Sequence, residues 1–200
     1  MEQALLVSNA LLWVAVLVLG ALVFALVRQI GVLYERVAPA GALVLAGGPK
    51  VGEAAPRFAL DDLFGRAVEL GGEDAEQRQT LLLFVSPTCP VCKTLLPVAK
   101  ALAASEPATR LVFASDGSAE DHAAFARKHG LDAYPYLVST ELGLAHQVGK
   151  LPHAVLWDAQ GVVRAKGLVN SREHLESLFE ARERGVASIQ DYVARAGGSR

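Results

Sequence analysis

Cys89 and Cys92 are the only cysteines among the 200 residues, and they carry the clearest potential for chemistry. They lie in the stretch SPTCPVCK, separated by Pro90 and Val91. This spacing is compatible with a redox-active dithiol, a structural disulfide or half of a metal site. The elements around the pair distinguish these possibilities.

The pair stands at the start of a predicted helix, which favours a reactive dithiol. The preceding run TLLLFVS is typical of a strand buried on both faces, and the following KTLLPVAKALAAS is helical with Pro97 inside it. Unpaired N–H groups at a helix start stabilise a thiolate at Cys89, and Pro90 suits the first turn because it lacks an N–H group. We predict that Cys89 attacks a disulfide and that Cys92, more buried, resolves the mixed disulfide.

A second motif, GKLPHAVLWD, places a Leu-Pro bond directly before a predicted strand. In a dithiol fold, a cis proline at this point would lie beside the cysteines, and the backbone of Leu151 would be free to pair with an extended substrate chain. We therefore expect a substrate groove formed by Leu151, Pro152, Thr88, Pro90 and Val91.

The elements that must position these residues follow an α/β pattern. The predicted order is hairpin, strand, helix, strand, helix, strand, helix, hairpin, helix, which indicates a mixed central sheet flanked by helices over residues 58–184. The dithiol follows the first central strand, at the carboxyl end where sites in open α/β sheets cluster. Residues 185–200 are predicted to form a C-terminal tail that is partly helical at best and frays at its final AGGSR.

The N-terminal region has the character of a membrane anchor. Residues 4–27 contain no charge, and a helix of these 24 residues is about 36 Å long against a hydrocarbon core of about 30 Å. The run is longer than the apolar part of a signal peptide, and no Lys or Arg precedes it. We predict a single transmembrane helix within an anchor over residues 1–34, followed by an Ala-, Gly- and Pro-rich linker over residues 35–57.

The charge pattern around this run says little about its orientation. Glu2 precedes the run, and Arg28 and Arg36 follow it, which weakly favours a cytoplasmic domain by the positive-inside rule. Long domains are translocated despite such a small bias. The net charge of −2 and the absence of a densely basic stretch argue against nucleic acid as a partner.

Together these motifs resemble the thioredoxin superfamily and, more narrowly, the MauD family, accessory proteins of methylamine dehydrogenase maturation. The resemblance is carried by SPTCPVCKTLLP and STELGLAHQVGKLPHAVLWDAQGVVRAKGLVNSREHLESL. The lead-in VGEAAPRFALDDLFGRAVEL is similar to the membrane-anchored and peroxiredoxin-like branches. The resemblance implies a thioredoxin-like fold after one transmembrane helix, a redox-active Cys89–Cys92 disulfide without other cofactor, and Pro152 as the cis proline.

The resemblance also implies a function. It indicates a thiol-disulfide oxidoreductase or isomerase, anchored in the inner membrane with its domain in the periplasm. Its implied client is the disulfide-rich small subunit of methylamine dehydrogenase. Because one dithiol cannot recycle itself, a membrane redox partner is expected. The alternatives are a periplasmic thiol reductase of the cytochrome c maturation type and a non-redox, membrane-tethered assembly chaperone.

Three positions depart from the wider superfamily. Leu83 stands six residues before the first cysteine, where thioredoxins often carry a buried acid that moves protons for Cys92. Thr88 replaces the usual tryptophan, and Val91 stands where strong oxidants often have histidine. These departures leave open the reduction potential and the direction of electron flow. The identity of the client, the recycling partner and the oligomeric state are open as well.

Other types of site fit the residues less well. A disulfide between Cys89 and Cys92 would close a very small loop and remove little chain entropy. Structural zinc normally takes four ligands, and there is no second CxxC, so we predict no metal site. Ser86 stands where peroxiredoxins have threonine, which argues against a peroxidase. His153 is predicted to lie at the surface or in the substrate groove, and the remaining histidines on solvated helix faces or ends: His122, His129, His146 and His174.

Overall fold

The computed structural model describes residues 2–36 and 47–184, and the chain divides into two compact units, residues 1–40 and 41–200. The first unit contains helix α1 (Glu2–Arg36). Within the described residues, no helix meets the combined requirements of length and apolar character for crossing a membrane. The transmembrane helix predicted within residues 1–34 therefore stays a prediction from the sequence.

The second unit is built on a five-stranded mixed sheet in the order β5-β4-β3-β6-β7, beside a separate β1–β2 hairpin. Strands β3, β4 and β5 are parallel, and β6 and β7 are antiparallel to their neighbours. The mixed sheet and both hairpins were predicted. The strands are β1 (Phe58–Asp61), β2 (Ala67–Leu70), β3 (Gln79–Phe84), β4 (Thr109–Ser115), β5 (Tyr136–Val138), β6 (His153–Trp157) and β7 (Val163–Leu168). The helices are α2 (Pro90–Ser105), α3 (Ala119–Lys128), α4 (Thr140–Ala145) and α5 (Arg172–Arg184).

The central strand β3 separates two apolar cores. All six of its residues are buried, as the continuous apolar run predicts, and successive side chains point to opposite faces. Leu83 belongs to the core that β3 shares with α2, α3 and α5. Leu82 belongs to the core on the other face, beneath the β1–β2 hairpin and α4. The dithiol helix α2 thus rests on a fully covered strand.

The C-terminal part of the predicted linker over residues 35–57 is attached to the second unit by backbone hydrogen bonds. The N–H of Gly52 donates to the carbonyl of Val163 at 2.8 Å, and the N–H of Ala55 donates to that of Gly161 at 2.8 Å. Ala55 is also buried in the core under the hairpin. The composition of this stretch suggested a spacer, but its backbone groups pair beside β7. The other predicted boundaries stay predictions, and residues 37–46 and 185–200 lie outside the described residues.

The Gly161 turn gives a testable prediction about this attachment. Gly161 has φ +76°, and a Cβ there would meet the backbone of Gly72 inside normal van der Waals distance. We expect Gly161→Ala to lower the free energy of unfolding by about 3 kcal/mol, from left-handed backbone strain of about 1–2 kcal/mol plus the clash. Gly52→Ala is the matched control because Gly52 also has a positive φ (+91°) but open space around it. Equal losses in urea unfolding of the two variants would show that the close approach to Gly72 contributes nothing.

Candidate active site

The dithiol occupies the first turn of α2. Cys89 is the N-cap, in extended conformation with φ −86° and ψ 111°, and Pro90 follows at the first helical position. The N–H of Cys92 donates to Cys89 Sγ at 3.1 Å. The Cys92 N–H and the positive end of the helix dipole thus both lie at the Cys89 sulfur. The predicted location of the pair at a helix start is confirmed.

The two thiols differ sharply in environment. Cys89 is half-buried, whereas Cys92 is fully buried in the core between α2 and the sheet. Burial is the main cause that raises the pKa of the Cys92 thiol to about 12, and its interaction with Cys89 raises the pKa further. Cys92 is therefore a neutral thiol near pH 7, which confirms the predicted asymmetry between the cysteines.

The other predicted residues of the CPVC loop are open to solvent. Thr88 and Pro90 are exposed, and Val91 is exposed by 41 %. The hydroxyls of Thr88 and Ser86 form a hydrogen bond of 3.0 Å, which links two residues of the loop that precedes Cys89. The loop thus presents an apolar side chain between the two cysteines, at the surface that a substrate would meet.

The Leu151–Pro152 peptide bond is cis, in agreement with the sequence prediction. Pro152 is buried, and Leu151 is exposed by 38 %. Strand β6 begins at His153, which pairs with Phe84 at the end of β3. The sheet therefore brings the Leu151–Pro152 segment to the carboxyl end of β3, from which the chain leads to Cys89.

A cavity of about 630 Å³ adjoins this end of the sheet. Val85 and Leu151 line one part of it, and Leu144 of α4 lines another. Leu144 is exposed by 71 % although it is apolar. The cysteines are not among the residues that line this cavity, whereas Leu151 of the predicted groove is. Sequence reasoning missed this cavity because its walls come from three separate segments.

Comparison with known proteins identifies the family. The model of the AhpC/TSA family matches residues 51–174. The methylamine utilization protein MauD of Paracoccus denitrificans is 50 % identical over 97 % of this chain and 96 % of its own. MauD of Methylorubrum extorquens is 50 % identical over 96 % of this chain and 93 % of its own. The chain belongs to the MauD family and to the AhpC/TSA family.

Solved structures similar to this MauD-family chain show its fold. One is the thioredoxin domain of a thiol-disulfide oxidoreductase from Bacteroides vulgatus. The superposed region covers 68 % of this chain and 98 % of that domain, with 19 % sequence identity and a TM-score of 0.56. Another is a thiol-disulfide oxidoreductase from Bacteroides fragilis. The superposed region covers 64 % of this chain and 98 % of that protein, with 20 % sequence identity and a TM-score of 0.55. The MauD-family chain therefore has the thioredoxin-like α/β fold that the sequence predicted.

A buried polar pair lies on the α2 side of the sheet of this MauD-family chain. His122 is exposed by 2 % and Tyr136 is fully buried. Their Nδ1 and Oη atoms are 2.7 Å apart, and His122 Nε2 lies 2.8 Å from the carbonyl oxygen of Asp116. The predicted solvated position of His122 is wrong. The helical period could have revealed this, because His122 shares one face of α3 with the buried Phe125 and Ala126.

The predictions for His146 and His153 are also wrong, because both are exposed by only 3 %. Both histidines lie on the opposite side of the sheet, where the ring of His146 stacks on the ring of Trp157. The rings of His146 and His153 each contact the ring of Phe84. Burial is the main cause that lowers the pKa of each imidazole to about 4. Across the described residues, no three potential metal-ligating side chains group together, and the absence of a metal stays a prediction.

Proposed function

We propose that this MauD-family chain is a membrane-anchored thiol-disulfide oxidoreductase with isomerase-like activity. It would assist disulfide formation during maturation of the small subunit of methylamine dehydrogenase. The observation that carries the proposal is the asymmetry of the dithiol. Cys89 is accessible and receives the Cys92 N–H, while Cys92 is a buried thiol with a raised pKa. This arrangement is suited to attack by one cysteine and resolution by the other.

The exchange proceeds in two steps. The Cys89 thiolate attacks a client disulfide, so that a Cys89–client disulfide forms and one client thiolate leaves. Deprotonated Cys92 then attacks Cys89 Sγ, so that the Cys89–Cys92 disulfide forms and the second client thiolate leaves. The reverse sequence transfers a disulfide to a reduced client. Isomerisation occurs when another client thiol displaces Cys89, which returns the dithiol to its starting state without net electron transfer.

The proposed client site follows the groove predicted from the sequence. An extended client segment would pair with the backbone of Leu151 and pass over Thr88, Pro90 and Val91. Leu151 and Val91 are partly exposed apolar side chains, which favours contact with a client rather than with water. The cavity lined by Leu151 and Leu144 would hold an apolar client side chain.

The membrane anchor and the periplasmic location belong to the proposal. The uncharged stretch of residues 4–27 supports the anchor, and the MauD resemblance supports the periplasmic side of the inner membrane. A membrane redox partner would recycle the dithiol after each net oxidation or reduction of a client. The anchor would keep the domain near that partner.

Labelling of intact spheroplasts tests the proposed topology. We expect a thiol reagent that cannot cross the inner membrane to label the reduced protein at Cys89, because Cys89 is partly exposed and Cys92 is buried. Cys89→Ser should lose at least about nine-tenths of the label, and lysis before labelling should not increase the wild-type signal. Labelling that occurs only after lysis would place the domain in the cytoplasm.

Replacement of both cysteines with serine tests the redox activity itself. In a methylamine-utilising bacterium that lacks its own MauD gene, we expect the Cys89→Ser/Cys92→Ser variant to restore less than about one-hundredth of the methylamine dehydrogenase activity that the wild type restores. Lys93→Ser is the matched control because it changes an exposed residue of the same helix turn. Full maturation with the double variant would favour the non-redox assembly chaperone.

A further inference from the structure

A short strap (residues 47–50) crosses the end of α4 in the second unit. The Nζ atom of Lys166 donates to the carbonyl of Gly47 at 2.6 Å. An added Cβ at Gly47 would meet the side chain of Gln147, and one at Gly48 would meet the backbone carbonyl of His146, both inside normal van der Waals distance. Gly48 also has a φ of +70°. The strap lies directly on the residues that follow α4, and this close approach requires glycine at both positions.

Downstream of the strap, the chain is fixed to the edge of β7. The N–H of Gly52 donates to the carbonyl of Val163 at 2.8 Å, and the N–H of Val163 donates to the carbonyl of Glu53 at 2.9 Å. The Glu53 carboxylate accepts from the N–H of Lys50 at 2.8 Å. The strap is therefore held at its start by Lys166 and at its end by the backbone of β7.

Lys166 is a buried lysine on the apolar face of the sheet. It pairs in register with Val155 of β6, which belongs to the core beneath the β1–β2 hairpin. A buried amino group is costly unless it forms a hydrogen bond. The one hydrogen bond that the described residues provide to its Nζ goes to Gly47. An apolar side chain of the same length would fill this space, so the link to the strap is what a lysine adds here.

The residues beneath the strap belong to the loop between α4 and β6, which we call the cavity loop (residues 146–151). Residues 147–151 line the cavity of about 630 Å³. The start of the cavity loop is fixed to α4, because Gln147 donates its N–H to Leu144 at 2.9 Å and Val148 donates to Gly143 at 3.0 Å. Within the described residues, the backbone groups of residues 149–151 form no hydrogen bond with another backbone group. Their position therefore depends on the packing of the first half of the loop.

His146 is held between the strap and the sheet. Its ring stacks on the ring of Trp157 and contacts the ring of Phe84, while its carbonyl lies against Gly48. The strap thus completes the packing around the end of α4. Release of Gly47 from Lys166 would remove one side of this support from the first residues of the cavity loop.

The cavity is suited to an apolar side chain. Two of its hydroxyl groups are already used within the protein: Ser115 donates to the carbonyl of Val85 at 2.7 Å, and Ser139 accepts from the N–H of Leu142 at 3.2 Å. The two charged residues that line it, Asp116 and Lys150, have opposite signs. Its apolar lining comes from Phe84, Val85, Leu144, Val148 and Leu151.

We propose that Lys166 is a positioning residue for client recognition. By holding Gly47, it keeps the strap on the cavity loop and preserves the shape of the cavity that receives an apolar client side chain. The inference rests on the proposed function, because it deepens the client site described there. Lys166 does not line the cavity, and it lies on β7 rather than on the helix that carries the cysteines. It therefore affects the choice of client and not the reactivity of Cys89.

Exchange with short chromogenic peptides tests this role on the full-length reduced protein. Each peptide is a glycine–serine chain with one cysteine in disulfide linkage to a coloured aromatic thiol, and a single leucine occupies one neighbouring position at a time. Attack by Cys89 on the peptide sulfur releases the aromatic thiolate, so absorbance gives the second-order rate constant. We expect the wild type to react about tenfold faster with the best leucine peptide than with the leucine-free peptide. Tenfold corresponds to about 1.4 kcal/mol, which partial burial of a leucine side chain provides.

Lys166→Met should reduce this leucine preference to about twofold or less, because methionine fills the space of the lysine stem but does not hold Gly47. The rate constant for the leucine-free peptide should stay unchanged. Gly48→Ala displaces the strap by a different route, since it leaves Lys166 in place, and it should reduce the preference similarly.

Each variant has a matched control. Arg164→Met removes a positive charge from the same strand, but Arg164 is exposed and donates to Asp158 at 2.6 Å rather than to the strap. Gly52→Ala introduces a side chain at another positive φ (+91°), where the space is open. Both controls should keep the tenfold leucine preference.

Three results would overturn the positioning role. The first is a wild-type leucine preference in both Lys166→Met and Gly48→Ala. The second is an equal loss of rate with all peptides, which would assign the strap a purely structural role. The third is a wild type that does not prefer any leucine peptide. Failure of the wild type to react with any of the disulfides, the free aromatic disulfide included, would instead contradict the proposed oxidoreductase function.

Discussion

Replacing Cys92 with alanine is expected to trap the client as a covalent complex through Cys89. The variant keeps the accessible thiol at the helix start but lacks the buried thiol that completes the exchange. We expect at least about tenfold more mixed disulfide than in the wild type, because escape then depends on an external thiol. The measurement is acid quenching of cells, alkylation, non-reducing electrophoresis and mass spectrometry of the bound client.

The matched control for trapping is Cys89→Ala, which keeps Cys92 but removes the accessible thiol. It should form no complex, because the remaining thiol is fully buried and protonated near neutral pH. The complex should disappear on treatment with a reducing agent. The attack-and-resolve scheme is wrong if Cys92→Ala forms no mixed disulfide while the wild type supports client maturation. Identification of the small subunit of methylamine dehydrogenase in the complex would support the proposed client.

Acidification is expected to destabilise the thioredoxin-like unit through His146 and His153. Burial lowers the pKa of each imidazole to about 4 in the folded state, against about 6.5 in the unfolded chain. Between these values the unfolded state binds more protons, so the free energy of unfolding falls as the pH falls. Stability from this source is complete above pH of about 6.5, and the loss approaches about 3 kcal/mol per histidine near pH 4.

Urea unfolding at a series of pH values measures this effect and separates it from the titration of carboxylates. The His146→Leu variant removes one of the two imidazoles, and it should lose about half of the histidine contribution between pH 6.5 and 4. Addition of His153→Val should remove the remainder, because valine suits a buried strand position. A pH dependence that is identical in the wild type and in both variants would show that these imidazoles do not control acid stability.

Local signals account for the parts of the fold and site that the sequence predicted correctly. The continuous apolar run of β3 requires cover on both faces, and the CPVC stretch places a capping residue and a proline where a helix begins. The different roles predicted for Cys89 and Cys92, and their difference in burial, follow from their positions within one helical turn. Such features depend on neighbouring residues, so they can be recognised along the chain.

Long-range packing decided the features that sequence reasoning missed. His146 is buried because Trp157 and Phe84, both distant in sequence, cover its ring. His122 is buried because β5 places Tyr136 against it, 14 residues away. The stretch before β1 pairs beside β7 through backbone groups, which leave no mark in side-chain periodicity. Each of these contacts requires the complete sheet.

The sequence by itself determined the reactive pair, its place at the start of a helix and the family of the protein, because these depend on residue types at short spacing. Only the tertiary structure decided that His122 and Tyr136 form a buried hydrogen-bonded pair on the α2 side of the sheet. It also decided that a cavity adjoins Leu151. The physical reason is that the burial of polar side chains and the shape of a cavity depend on distances between segments, and those distances exist only after the sheet has formed.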